Sequence, residues 1–246
     1  MSTSDVERRV RVLAALADPH RLGIVDALAT SDLSPAEIGS RLGIPSNLLA
    51  HHLRTLESAG ILSRHRSSGD RRRTYLTLDV IALTDLVPTA LGGPEDTSRR
   101  NPAGALGVSR LVFVCTANSA RSQLAAALWN QTDSAPDLPA TSAGTRAAVR
   151  IAPGALDVAR RHHLRLEQTR PRSLSQLEHP LTDEDYLVTV CDSAHEELSP
   201  SRSRAADAHW SVPDPVAVNT AHAFDTAYDD LATRVAQLAS RLHPVG

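Results

Sequence analysis

Lysine is absent from the 246 residues; all 26 basic side chains are arginine. Against 28 acidic residues they leave a net charge of −2, which excludes a polycation that coats nucleic acid or a membrane with its whole surface. Aromatic residues make up only 3 %, so aliphatic side chains must fill any core. There are two cysteines, Cys115 and Cys191, too few for a disulfide framework or an all-cysteine zinc site. No apolar run is long enough to span a bilayer, and the N-terminus lacks the charged-then-apolar pattern of a secretion signal. A cytoplasmic protein with reduced thiols and no membrane partner is expected.

What is present divides the chain in two. Residues 86–108 carry Pro88, Pro94, Pro102 and several glycines without a sustained apolar period, which is linker composition. The expected organisation is a first domain over 1–85, the linker, and a second domain over 109–246.

In the first part, Val10, Leu13, Leu16 and Ala17 fall at helical spacing, and a second helix runs from Arg21 to Ala29. Ser34-Pro35-Ala36-Glu37 is a capping box with proline at the first helical position. It opens a helix through Ile38 and Leu42. After the turn Gly43-Ile44-Pro45, Ser46 is expected to cap the next helix. Leu49, Leu53 and Leu56 form the buried face of that helix, and Gly60 ends it. Ile61 to Leu78 reads as a β-hairpin with Ser68-Gly69-Asp70 at its tip. Helix, turn, helix, hairpin is the winged helix-turn-helix order.

The second part alternates strands and helices. Strands are expected at Leu111 to Cys115, Ala140 to Ala143 and Tyr186 to Val190; helices at Arg121 to Asn130 and Pro153 to His162. A last helix shows Phe224, Tyr228, Leu231, Val235, Leu238 and Leu242 on one apolar face. This alternation predicts an α/β domain with a parallel sheet flanked by helices.

The stretch LVFVCTANSARSQLAAALW, 111–129, carries the chemistry. Cys115 stands at the carboxyl end of a strand, and Arg121-Ser122 opens a helix. A Cys-x5-Arg-Ser loop in that setting wraps a tetrahedral oxyanion. The amides of Thr116, Ala117, Asn118, Ser119, Ala120, Arg121 and Ser122 form an anion nest, and the helix N-terminus adds partial positive charge. Arg121 closes the ring with a bidentate contact. The same field favours a thiolate at Cys115, poised to attack bound phosphorus or arsenic. Asn118 and Ser122 are expected to hold the loop and bond the sulfur.

This loop resembles that of the low-molecular-weight protein tyrosine phosphatases, and more closely the arsenate reductases built on their fold. The motifs TSAGT (141–145), TRPRSL (169–174), VTVCD (188–192) and HWSVPDP (209–215) follow in the order that resemblance requires. The resemblance makes Asp214, before Pro215, the general acid that protonates the leaving oxygen. Val216-Ala217 stand where the phosphatases typically have tyrosines, which favours a small inorganic substrate.

A reductase needs a second thiol. The similar thioredoxin-coupled enzymes relay through two further cysteines. Cys191 matches the first, Leu198 stands at the second, and Ala120 stands where those enzymes often have another cysteine. Cys191 is then either an internal relay, opened by an external reductant, or a buried strand-end thiol without chemistry. In the second case a low-molecular-weight thiol attacks the adduct directly, as in the mycothiol- or glutathione-coupled relatives; the external reductant is a mycothiol, thioredoxin or glutathione system. No bound cofactor is expected.

DPHRLGIVDAL (18–28), the segment 33–62 and the hairpin SRHRSSGDRRRTYLTL (63–78) resemble the ArsR/SmtB winged-helix repressors. The resemblance implies a homodimer on operator DNA. Its recognition helix would present Ser46, Asn47, His51, His52 and Arg54. Arg64, Arg66, Arg71, Arg72 and Arg73 crowd the hairpin and suit phosphate contact. The stretch Leu28 to Ile38 lacks the family's sensing cysteines. The pair His51-His52 is not read as a metal site, because adjacent helix residues face different ways. The whole chain is expected to be a transcriptional regulator fused to a thiol-dependent arsenate reductase. Two alternatives stay open: a repressor whose second domain only senses an oxyanion, and a tyrosine phosphatase.

Overall fold

The computed structural model describes residues 3–84, 108–135, 137–167, 169–198 and 205–242. The expected linker, 86–108, lies outside these apart from Val108. The chain folds as two units.

The first unit has five helices and a hairpin among its described residues: α1 (Thr3–Leu16), α2 (Pro19–Leu28), α3 (Pro35–Leu42), α4 (Ser46–Ser58), β1 (Leu62–Arg66), β2 (Thr74–Leu78) and α5 (Val80–Thr84). Asp18 caps α2, its carboxylate accepting from the amides of His20 and Arg21, with Pro19 in the first turn. The Ser34–Glu37 capping box forms as read. Gly43 takes the left-handed conformation (φ 65°) that turns the chain from α3 toward α4. Ser46 is not the cap of α4: Pro45 holds that position, and no side chain caps the helix. β1 and β2 pair antiparallel from Leu62↔Leu78 to Arg66↔Thr74, and Leu33 bridges to Leu76. Ile24, Ile38, Leu53, Leu56, Ile61 and Leu76 form the centre of the core.

Helix α1 departs from expectation in one respect. Val12 and Ala15 face the core, whereas Val6, Val10 and Leu13 lie exposed on the other side. Of the apolar residues that mark the helix in the sequence, Val10 and Leu13 point outward and Leu16 packs against the core.

The second unit is a four-stranded parallel sheet with helices packed against it. In chain order it comprises β3 (Arg110–Cys115), α6 (Arg121–Trp129), β4 (Ala140–Gly144), α7 (Pro153–Arg161), β5 (Asp185–Thr189), α8 (Asp192–Leu198), β6 (Ala208–His209), α9 (Pro215–Val218) and α10 (Ala221–Leu242). The strand order is β4-β3-β5-β6, all parallel. Every residue of β3 from Leu111 to Cys115 is buried, the continuous apolar run of a central parallel strand. Arg110 pins the start of β3 to β5 through the Asp185 carboxylate, at 2.5 and 3.0 Å.

From β3 the chain moves first to one side, to β4, and then to the other, to β5. That reversal opens a crevice at the carboxyl ends of β3 and β5, where open α/β sheets hold their ligands. Cys115 ends β3 there, and Cys191 follows β5. Over β3, α6 is buried through Ala125, Ala126 and Ala127, whose small side chains bring its N-terminus close to the crevice. Phe224 of α10 fills the space above Gly154, where an added Cβ would stand 2.3 Å from its ring.

Candidate functional site

The loop from Cys115 to Ser122 is held open by its own carbonyls. Those of Cys115, Thr116, Ala117 and Ser119 accept the amides of Thr145, Arg146, Ala148 and Ala152, at 2.8 to 3.1 Å. The carbonyl of Asn118 accepts from the Gln123 side chain at 3.2 Å. A trans peptide points its N–H opposite to its C=O. With these five carbonyls engaged, the amides from Thr116 to Ala120 point away from the groups that hold the carbonyls. The Asn118 amide donates to Cys115 Sγ at 3.2 Å.

The segment supplying four of these donors follows β4, whose last residue is Gly144. A Cβ there would lie 2.7 Å from the Thr116 carbonyl oxygen and 3.0 Å from the Asn118 nitrogen. Only glycine allows the loop to come this close.

Asn118 occupies the left-handed region (φ 50°), which asparagine tolerates better than most residues. Its amide nitrogen donates to Ser122 Oγ at 2.9 Å and to Ser142 Oγ at 3.0 Å. Its side-chain oxygen accepts from the Arg172 amide at 2.9 Å and the Gln123 side chain at 3.2 Å. Ser122 Oγ lies 3.1 Å from Cys115 Sγ. Ser122 Oγ and the Asn118 amide thus both lie against the sulfur. Ser142, Gly144 and Arg172 lie in motifs that were legible, but their contacts with the loop were not.

Arg121 is buried at the start of α6. One nitrogen donates to the Val212 carbonyl at 3.0 Å, and the other lies 3.2 Å from Asp214. Asp214 also caps the short helix α9 through the Val216 amide at 3.1 Å. Cys115, Ser119, Arg121, Asp214, Val216 and Ala217 line one pocket. No aromatic ring is among its described lining residues.

Cys191 is buried beside the same loop, its sulfur 3.5 Å from Thr116 Oγ1. Burial pushes its thiol up; the Arg121 charge pulls it down, and Cys115 adds to the rise. The net direction keeps Cys191 protonated. Next to it, Asp192 accepts from Ser211 Oγ and meets His209 Nε2 at 3.2 Å. Thr189 Oγ1 bridges His209 Nδ1 and His195 Nδ1 at 3.0 and 3.2 Å. This buried polar cluster, partly formed by the unforeseen strand β6, has no counterpart in the sequence reading.

The first unit presents a separate face. On α4, Ser46, Asn47, His51 and Arg54 are exposed, with Asn47, His51 and Arg54 along one side of the helix. His52 is a correction: it is 4 % exposed and turned toward the start of α2, so it is not at the recognition surface. Arg64, Arg66, Arg71, Arg72 and Arg73 of the hairpin are exposed, and Arg64 is paired with Glu57 at 2.8 Å.

Sequence comparison agrees with both halves. The profile described as low molecular weight phosphotyrosine protein phosphatase matches residues 110–244, more than half of the chain. The chain belongs to this family. A helix-turn-helix domain profile matches residues 16–65. Over 76 residues the chain is 30 % identical to the transcriptional repressor SdpR of Bacillus subtilis (strain 168), covering 31 % of this chain and 81 % of SdpR. The first unit is thus an ArsR/SdpR-like helix-turn-helix. Similar solved structures include an arsenate reductase from Archaeoglobus fulgidus, 27 % identical, covering 52 % of this chain and 97 % of that one, with a TM-score of 0.44. Another is a low molecular weight protein tyrosine phosphatase from T. tengcongensis, 23 % identical, covering 52 % and 96 %, with a TM-score of 0.44.

Proposed function

We propose that the second unit is a thiol-dependent arsenate reductase and that the first binds operator DNA as a homodimer in the cytoplasm. One observation supports the enzymatic reading: a loop with its carbonyls tied back and the Asn118 amide on Cys115 Sγ, beside the Arg121–Asp214 pair, in a pocket with no aromatic ring among its described lining residues. Such a pocket suits a small tetrahedral oxyanion better than an aryl phosphate.

The Cys115 thiolate attacks arsenic, an As–O bond breaks, and Asp214 delivers the proton that lets the oxygen leave as water. An external thiolate then attacks Cys115 Sγ. The S–As bond breaks, its electron pair reduces As(V) to As(III), and arsenite departs. A second thiol opens the mixed disulfide and restores Cys115. The protonated, buried state of Cys191 and the leucine at 198 favour this external route over an internal relay.

Arsenite release from arsenate, measured with thioredoxin, mycothiol and glutathione systems supplied separately, tests the proposal. Turnover is expected to vanish in Cys115→Ser and to survive in Cys191→Ser; loss in both makes Cys191 the relay. No turnover with any donor, together with arsenate binding that depends on Arg121, would establish the oxyanion-sensing repressor instead. Hydrolysis of an aryl phosphate without arsenate turnover would establish the phosphatase.

On the DNA side, the exposed stripe Val6, Val10 and Leu13 supports pairing with a second copy. The exposed set Asn47, His51 and Arg54 and the hairpin arginines support contact with bases and phosphates.

A further inference from the structure

His52 is buried to within 4 % of complete, yet neither of its ring nitrogens has a hydrogen-bond partner among the described residues. An imidazole taken out of water with both nitrogens idle is costly, and native structures rarely tolerate that without a water or an ion beside it. Burial also pushes its pKa down, so the ring is neutral and keeps a lone pair.

Two further candidate ligands lie beside that ring, His20 and Asp18, whose Oδ1 also accepts the amides of His20 and Arg21. His52 Nδ1 is 3.8 Å from Asp18 Oδ1, and His20 Nδ1 is 3.9 Å from that same oxygen. Both distances are too long for hydrogen bonds. They are close to the ~3.4 Å that separates two ligands of one tetrahedral metal at 2.0–2.1 Å. One donor atom from each of the three residues falls within 4.8 Å of the other two. His20 and His52 lie nearly parallel, with centroids 5.2 Å apart and planes at 23°. Closing the set takes a small movement of His20, which is exposed. Capping α2 accounts for the Asp18 carboxylate but not for the unpartnered His52.

The geometry points to a divalent transition-metal site formed by Asp18, His20 and His52, joining the N-terminal end of α2 to α4. Two imidazoles and one carboxylate suit Zn2+, Co2+ or Ni2+, not the oxygen-seeking Mg2+ or Ca2+. Three protein ligands leave a coordination position for water. The relevant histidine pair is His20 with His52, not the adjacent His51 and His52. The site lies in the helix-turn-helix unit and does not depend on the chemistry assigned to Cys115.

Titration calorimetry of the untagged full chain with Zn2+, and visible absorption with Co2+, test this site. The Cys115→Ser/Cys191→Ser double variant runs in parallel to remove thiolate ligands. One metal per chain is expected, unchanged in the double cysteine variant. His20→Ala, at an exposed position where folding is not at risk, and Asp18→Asn, which preserves the cap, should each weaken binding by at least about tenfold. A thermal shift with Zn2+ should disappear in the same variants. Binding that ignores His20→Ala and Asp18→Asn, binding that vanishes with the cysteines, or no binding at about millimolar Zn2+ would each overturn the site.

Discussion

The side-chain nitrogen of Asn118 reaches the Ser142 hydroxyl at 3.0 Å, linking the Cys115–Ser122 loop to the middle of β4. The same side chain holds Ser122, Gln123 and the Arg172 amide. Asn118→Gly keeps the left-handed backbone accessible and deletes all four bonds. It should lower arsenate and phosphate affinity by about tenfold or more, since each lost bond is worth roughly 0.5–1.5 kcal/mol. Calorimetry with each anion reads this directly. Unchanged affinity would mean that the carbonyl clamp alone holds the loop.

Gly144→Ala puts a methyl group against two backbone atoms, which cannot rotate away. The loop must shift, so oxyanion binding should fall at least tenfold while circular dichroism stays that of a folded chain. Full anion affinity in this variant would show that the loop tolerates displacement.

Asp214→Asn should slow adduct formation by about 10²–10⁴-fold. Anion affinity should hold or rise, because a negative charge beside Arg121 has gone. Single-turnover rates and equilibrium binding, measured on one preparation, separate the two effects. A variant that loses binding but not rate would assign Asp214 to positioning Arg121.

Asp192 gives a pH dependence of stability. Burial favours its neutral form, but the bonds from His209 and Ser211 outweigh burial and hold the carboxyl below the usual carboxylate range. A depressed folded pKa stabilises the folded state above the unfolded value of about 3.9. That contribution fades as pH falls toward the folded value. Asp192→Ala should therefore destabilise the second unit by roughly 1–3 kcal/mol at neutral pH. The gap to the parent should narrow below about pH 4. Denaturant melts of both proteins across that range check the sign.

Charging the exposed stripe of α1 with Val10→Glu and Leu13→Glu should shift the chain to a monomer in sedimentation and weaken operator binding. Helix α1 keeps its core contacts through Val12 and Ala15, so the fold should survive. A dimer that persists would move the interface elsewhere.

The Cys115–Arg121 loop was legible because its chemistry lies in one contiguous segment, and the strand and helix around it have strong periods. Its clamp was not: four of the five donors come from 145–152, and only the topology brings that segment against the loop. β6 is two residues long, too short for any alternation to show. Capping of α2 by Asp18 ahead of Pro19 was readable but passed over, while Ser46 looked like a cap and yields that place to Pro45. His52 stands three residues after Leu49 and four before Leu56, on the face those leucines mark as buried, so its inward turn was legible in the helical repeat. In α1 the apolar stripe was real, yet its direction is set by which face the other helices cover.

The clamp on the loop has one more consequence. A loop fixed before any ligand arrives responds to charge and tetrahedral shape, and arsenate and phosphate share both. Selection between the two anions cannot then occur at entry. On the proposed chemistry it comes afterward: sulfur can bond to either centre, but only As(V) then takes up the electron pair of its bond to sulfur and leaves as As(III). Phosphate would occupy the loop as a rival, so the useful rate in a cell would follow the ratio of the two anions, not the amount of arsenate alone.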